Sequence, residues 1–397
     1  MDATRRRLLT VCAGAGAGLL GATGLTQRDP GSTRSGTNTV AERGGVTVNQ
    51  PPTSRSTADA PVDVRGAIYL PARAFNVYQF WHDYHPRVVE RDLGYAASVN
   101  LNALRTWLSY THWRERPRAA ETALEHFLGA AADRGLSVLL GLYDGVGEPP
   151  TRTHLDDRNP LTAVGTFEPS MTVVREPSRW DRPREYVRWF MERHRDDDRL
   201  LGIEVMNEPG WNVQRRFARG MFEALAAERG RVPLTVGSTS LANDADYAAW
   251  GNQIIQFHYN FAHDLAQYRG LLRQAVELRS LTSYPVWLTE WQRLRSGQGF
   301  RSPIQGDEWQ PDYASLAPLI TEFGVGNFFW TLMIQPAYTR FQRRQGVITG
   351  LFHEDGAVWS LDDARAIKAM SGDASFDAEE RPVWPEWCRV VERTYRK

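Results

Sequence analysis

Lysine is nearly absent: of 47 basic residues only Lys368 and Lys397 are lysines, and the rest are arginines. The skew reads as GC-rich coding and not as a functional signal. Cysteine is scarcer in effect than in count. Cys12 lies in an N-terminal segment set apart by its composition, which leaves Cys388 without a partner and excludes an intrachain disulfide. Net charge is missing too, with 47 basic against 47 acidic residues. A nucleic-acid partner is therefore not expected, since such ligands need a basic patch. The chain has no phosphate-binding glycine loop, no Gly-x-Ser-x-Gly elbow and no dinucleotide fingerprint. No sequence repeat of fixed period occurs.

What is present begins with a leader. Thr4-Arg5-Arg6-Arg7-Leu8-Leu9, followed by Ala/Gly/Leu-rich sequence to Leu25, has the form of a twin-arginine export signal over residues 1–25. This stretch is too weakly hydrophobic to read as a membrane anchor. A secreted or cell-surface protein is expected, touching a membrane only if the leader is kept. Residues 26–61 are rich in Ser, Thr, Gly, Pro and Arg and are expected to form a disordered tether.

From residue 62 to 397 short apolar segments alternate with amphipathic ones. Strands are expected near 65–71, 101–107, 136–143, 200–206, 233–238, 253–258, 285–289 and 326–332. Helices are expected near 86–98, 117–134, 183–197, 213–229, 243–250, 263–281, 311–324 and 361–370. Eight strand–helix pairs imply an α/β protein with one (β/α)8 barrel, expected as a monomer. Helix-to-strand links are short, as at Asn100 and Gly135, whereas the strand-to-helix links 144–182, 290–310 and 333–360 are long. A barrel builds its site on that long-loop face. Residues 384–395 are expected to close the fold as a helix burying Trp387, Val390 and Val391.

Two strand ends carry glutamate. Leu201-Gly202-Ile203-Glu204-Val205-Met206 runs into Asn207-Glu208-Pro209, and Pro285-Val286-Trp287-Leu288-Thr289 runs into Glu290-Trp291. An acid at the carboxyl end of a barrel strand faces the ligand crevice. One such glutamate alone is most often a cap or a surface ion pair. Two of them can divide the proton-donor and nucleophile roles of glycoside hydrolysis. Glu204 shares its side of the strand with Glu208, would lie deeper, and needs a buried cation such as Arg105.

Met206-Asn207-Glu208-Pro209 at the fourth strand end, with Glu290 at the seventh, resembles the clan A glycoside hydrolases. The resemblance is greatest to glycoside hydrolase family 5, the cellulase and β-mannanase family, and covers residues 62 to about 370. It implies a retaining mechanism with Glu208 as acid/base and Glu290 as nucleophile, without cofactor or metal. It further implies that Arg105, in Leu104-Arg105-Thr106-Trp107, keeps Glu290 ionised, and that Asn207 bonds the sugar 2-hydroxyl. His258 would order the acid/base, Tyr259 would bond the nucleophile, and Trp330 would floor the sugar subsite. Two positions depart from the family pattern. A histidine is usual at the third strand end, where this chain has Leu142-Tyr143-Asp144. The usual His-x-Tyr of the sixth strand is here His258-Tyr259, with no residue between. These departures suit an outlying branch of the family or a sister family in the clan.

Aromatic residues gather near the strand ends: Tyr69, Tyr78, Trp81, Trp107, Tyr110, Trp113, Trp211, Trp291 and Trp309. Nine exceed what loop packing needs, and Trp107 and Trp291 are expected among those that stack on sugar. Arg152, Arg158, Arg175, Arg340, Arg343 and Arg344 read as solvated loop charges; if they line the cleft, the substrate carries a carboxylate. His82 with His85, and Asp196-Asp197-Asp198, lack the further ligands a metal site needs. The expected activity is that of an exported retaining β-glycoside hydrolase on an oligo- or polysaccharide of mannan or glucan type. An inactive carbohydrate-binding barrel and a transglycosidase use the same residues and stay open at this point.

Overall fold

The structure is a computed structural model and describes residues 62–210, 213–260, 264–293 and 311–395. The leader and tether expected at 1–61, together with Trp211 and Trp309, lie outside the described residues. Eight parallel strands form one sheet: β1 (Arg65–Ile68), β2 (Ala103–Trp107), β3 (Ser137–Asp144), β4 (Leu200–Asn207), β5 (Leu234–Gly237), β6 (Ile255–His258), β7 (Val286–Gln292) and β8 (Gly326–Trp330). Their order is β5-β4-β3-β2-β1-β8-β7-β6. A parallel bridge from Thr235 to Ile254 joins β5 to β6 and closes the (β/α)8 barrel. The strand segments are short and nearly continuously apolar because both faces are covered: every residue of β2 and of β8 is buried.

Eight helices wrap the sheet: α1 (Pro86–Ser98), α2 (Pro117–Ala132), α3 (Asp181–His194), α4 (Val213–Ala227), α5 (Asp244–Ala248), α6 (Leu265–Thr282), α7 (Tyr313–Phe323) and α8 (Leu361–Ala369). Local chemistry sets their ends. Pro86 and Pro117 open α1 and α2 at positions whose N–H has no helical partner. Asp264 and Asp312 cap α6 and α7 by accepting the N–H groups of Gln267 and Ser315. Along α2 the residues Ala120, Ala123, Leu124, Phe127, Leu128 and Ala131 form one buried stripe that packs onto the barrel.

The strand-to-helix loops carry short helices that were not among the expected ones, including Val77–His82, Tyr110–Glu115, Arg152–Asp156 and Arg340–Arg344. One turn is too short to show a hydrophobic period, but each begins at a side-chain cap: Asn76, Ser109, Thr151 or Thr339. The closing segment is a 3-10 turn, Glu386–Cys388, running into the helix Arg389–Tyr395. Its buried stripe is Trp384, Cys388 and Val391, while Val390 is exposed and Trp387 half-buried. The inward face is thus one residue out of step with the expected one at two of its three positions.

Candidate active site

The ring order of strands places β4 and β7 on either side of the pair β5–β6, with β8, β1, β2 and β3 completing the circle. Glu208 follows β4 and Glu290 lies on β7, so their carboxyls meet across the barrel mouth. Each offers an oxygen within 4.8 Å of the other's and of a ring nitrogen of His258. Beside them opens a cavity of about 540 Å³, its mouth included. Its lining includes Leu70, Phe75, Asn76, Trp107, Asp144, Thr166, Asn207, Glu208, Glu290, Trp330, Gln335 and Tyr338.

Below the carboxyls sits a fully buried ion pair. Arg105 Nε and Nη2 each donate to one oxygen of Glu204 at 3.0 Å, and Trp107 Nε1 donates to Glu204 Oε1 at 3.0 Å. Two buried charges survive there because every donor finds an acceptor. Arg105 Nη2 also donates to Asn207 Oδ1 at 2.8 Å, and Nη1 donates to the Thr289 carbonyl at 3.1 Å. The pair needs glycine opposite: a Cβ on Gly237 would stand 2.7 Å from Glu204 Oε1 and 2.9 Å from Arg105 Nη2. Glu204 is therefore the deeper, structural acid of β4, partnered as the sequence parity required.

The two mouth carboxyls differ in their surroundings. Glu290 Oε1 accepts from Asn260 Nδ2 at 2.7 Å, and Arg105 Nη1 lies 3.6 Å from its Oε2. Burial raises the Glu290 pKa, and Glu208 adds to the rise, while His258, Arg105 and Asn260 oppose it. Glu208 Oε1 lies 2.5 Å from His258 Nδ1. Burial pushes Glu208 up to about 7, with Arg105 only partly opposing. The same burial takes His258 down to about 4, which leaves a neutral imidazole beside a carboxyl that holds its proton to neutral pH. Glu208 sits at φ +41°, a left-handed backbone that turns the chain out of the strand. Asp144, where the family pattern has histidine, accepts from Asn207 Nδ2 at 3.0 Å and from the Val146 N–H at 3.0 Å. Burial drives Asp144 up to about 8. A neutral Asp144 faces the cavity as a group able both to donate to and to accept from a hydroxyl.

The nine expected site residues do not all converge. Glu208, Glu290, Asn207, Trp107 and Trp330 line the cavity, and Arg105 and His258 contact the carboxyls from behind. The Tyr259 hydroxyl does not bond the Glu290 carboxyl: its ring stacks on Tyr268 with centroids 5.3 Å apart, its N–H donates to the Glu290 carbonyl at 2.9 Å, and Asn260 supplies the donor to the carboxyl instead. A register shift between Phe257 and His258 accompanies this change. Trp291 is fully buried, edge-on to Tyr313 at 5.5 Å and donating to Asn327 Oδ1 at 3.0 Å, so its indole is not available to a sugar. Tyr69, Tyr78, Trp81, Tyr110 and Trp113 are likewise core residues. Trp81, for example, donates to the Trp107 carbonyl at 2.7 Å and packs on Phe80, Tyr84 and Phe127. The sequence reading missed Asp144 as a site group, Asn260 and Tyr338. Asp144 and Asn260 sit at the two places where the chain departs from the family pattern, and that departure was the available signal.

No protein-family profile matches the chain, and no curated protein matches it in sequence. Solved structures match it in fold. The exo-β-1,4-mannosidase Op5Man5 from Opitutaceae bacterium strain TAV5 superposes with a TM-score of 0.56 at 17% identity, over 77% of this chain and 58% of that one. This chain thus spans less than two thirds of that enzyme. The GH5_18 protein of Streptomyces cattleya, solved in complex with GlcNAc, gives 0.56 at 17% identity over 81% and 83% of the two chains. A GH2 β-galacturonidase from Eisenbergiella tayi, bound to galacturonate, gives 0.52 at 14% identity over 78% and 50%. These likenesses, at 17% identity or less, show that the chain shares the (β/α)8 fold of those proteins.

Proposed function

We propose that this chain is a retaining β-glycoside hydrolase, exported by the twin-arginine route, that cleaves a neutral β-linked glycan. The observation that carries the reading is the Glu208–Glu290 pair: two carboxyls in oxygen-to-oxygen reach of one another, one beside neutral His258 and one beside Arg105 and Asn260. An oxygen of each carboxyl within 4.8 Å of the other's supports the short spacing of direct attack on the anomeric carbon over the wider spacing of an inverting enzyme. Glu290, the carboxyl with a cation and an amide donor beside it, attacks as the carboxylate. The bond from the anomeric carbon to the glycosidic oxygen breaks while Glu208 gives its proton to that oxygen. Glu208, now a carboxylate, takes a proton from water, whose oxygen displaces Glu290 and restores both groups. Asn207 and Asp144 stand where they can hold the sugar's hydroxyls, and Trp107 and Trp330 supply apolar surface for its CH face.

The alkaline limb of the pH profile depends on Glu208 keeping its proton, so kcat/KM should fall above about pH 7, tenfold per pH unit. A profile still flat at pH 9 would remove Glu208 from the acid role.

Charge at the cavity favours a neutral substrate. Among the described residues no arginine or lysine lines it. Arg152 is paired with Glu115 at 3.0 Å and Asp156 at 3.1 Å, Arg158 is paired with Asp83, and Arg343 is buried against carbonyls. Assay of mannan, cello-oligosaccharides, xylan and a polyuronate at two salt concentrations should find the neutral β-glycans cleaved with little salt dependence. Proton NMR of a fresh digest should show the β-anomer first. A first-formed α-anomer, or activity confined to the polyuronate, overturns the corresponding half of the reading.

A further inference from the structure

Among the described residues the cavity occupies one half of the barrel mouth. Apart from the two glutamates and Asn207, its described lining comes from the β1, β2, β3 and β8 ends and their loops, with no described residue of β5 or β6. The far side of this half is built by segment 145–170 after β3, which is fastened from both flanks. From the β1 loop, Asn76 Nδ2 donates to the carbonyls of His154 and Val164 at 3.3 Å each. Gln79 Nε2 donates to those of Leu155 and Asp157 at 2.9 and 2.8 Å. From the β8 loop, Arg340 Nε donates to Thr162 O at 3.1 Å, and Arg343 donates to Pro160 O at 2.7 Å and to Ala163 O. Arg343 also holds its own loop, donating to Ala337 O at 2.8 Å and Tyr338 O at 3.0 Å. Seven carbonyls of one segment are thus bonded by side chains of two other loops, three of them by guanidinium groups, whose bonds are the stronger kind.

The β3 and β8 loops meet at Tyr338. Its carbonyl accepts from the Gly165 N–H at 3.3 Å, and its ring lies so close that a Cβ on Gly165 would fall 2.2 Å from Cδ2. The ring also leans on Trp330, with centroids 5.5 Å apart. Tyr338 and Gly165 therefore shut the chamber on the side away from β5 and β6.

A chamber shut in this way cannot hold the leaving group. The aglycone must depart before water reaches the anomeric carbon, and departure needs an open side. The chamber is therefore the place of the sugar that is attacked, with its anomeric carbon at Glu208 and Glu290 and its opposite end against Tyr338 and Thr166.

The geometry points to exo action: the protein removes a single sugar from the non-reducing end of its glycan, because segment 145–170 and Tyr338 leave no path for a second sugar beyond the first. This rests on the glycosidase reading above and adds the form of substrate, a free chain end. Three probes test it with the full-length protein: 4-nitrophenyl β-mannoside, β-1,4-mannohexaose tagged at its reducing end, and the same hexaose blocked at its non-reducing end by a 4,6-acetal. Cello-oligosaccharide counterparts run in parallel. The expected result is monosaccharide release from the earliest time point, tagged products shortened one unit at a time, and the blocked hexaose cleaved at least 100-fold more slowly than the free one. Internal fragments at early times, or equal cleavage of the blocked chain, overturn exo action while leaving the glycosidase reading standing. No turnover of any probe overturns both. Tyr338→Ala removes the ring but keeps the carbonyl that Arg343 and Gly165 bond. It should raise blocked-to-free turnover at least tenfold, and an unchanged ratio with native folding would reject Tyr338 as the stop.

Discussion

Glu290→Ala should lower turnover of every β-glycoside by about 10⁴-fold or more, because it removes the carboxyl that Arg105 and Asn260 set up as the nucleophile. Glu208→Ala should behave differently. On natural leaving groups it should lose roughly 10²- to 10⁴-fold, the usual worth of a general acid. On a dinitrophenyl glycoside, whose leaving group departs without a proton, the first step should survive and the enzyme should stall as the covalent intermediate. Azide, which needs no general base, should then restore turnover and yield a β-configured glycosyl azide. The structural basis is the unequal setting of the two carboxyls: Asn260 and Arg105 at Glu290, neutral His258 at Glu208. The opposite pattern, with rescue in the Glu290 variant and none in the Glu208 variant, would exchange their roles.

Arg105→Met should be the most destabilising of the conservative-volume changes near the site. It leaves Glu204 fully buried without its cation, a loss of about 3–5 kcal/mol. In a domain of this size that corresponds to a fall of about 10 °C in Tm. Adding Glu204→Gln should recover part of the loss, since the uncompensated charge then disappears. Arg105→Lys should not rescue fully, because one ammonium cannot reach Glu204, Asn207 and the Thr289 carbonyl together. Thermal unfolding of the single and double variants measures this directly. A loss under about 1 kcal/mol in the single variant would mean that Glu204 is neutral in the fold.

The barrel was legible in the sequence because its strands carry a strong and simple signal, buried apolar runs at regular spacing. Expected and observed strands agree to within a few residues from Arg65 to Trp330. Arg105 with Glu204 was legible because an acid inside the barrel needs a buried cation, and that pairing held although β4 shifts register between Glu204 and Asn207. What failed lay beyond the strand ends. Parity does not survive the irregular step between Phe257 and His258, so Tyr259 was chosen where Asn260 reaches the carboxyl. Aromatic residues near strand ends look alike in a sequence whether they point at solvent, at a ligand or at a helix. Trp107 faces the cavity and Trp291 faces Tyr313, and nothing in composition separates them. Tyr338 reaches the cavity through a loop fold set by Arg343, five residues on, and by Gly165, about 170 residues earlier, and the second contact leaves no local mark.

The join between β5 and β6 makes the acid glutamate a clasp. Among the described residues these strands share one bridge, helped by the Gln253 N–H bonding the Leu234 carbonyl at 2.9 Å and by Thr235 Oγ1 donating to Ile254 O at 2.7 Å. Glu208 spans that seam: its N–H bonds the Gly237 carbonyl at the end of β5 at 2.8 Å, and its carboxyl meets His258 at the end of β6. Local opening of the seam and loss of the Glu208–His258 contact are therefore a single event. By thermodynamic linkage, a ligand bridging Glu208 and Glu290 would tighten the sheet where it is joined least.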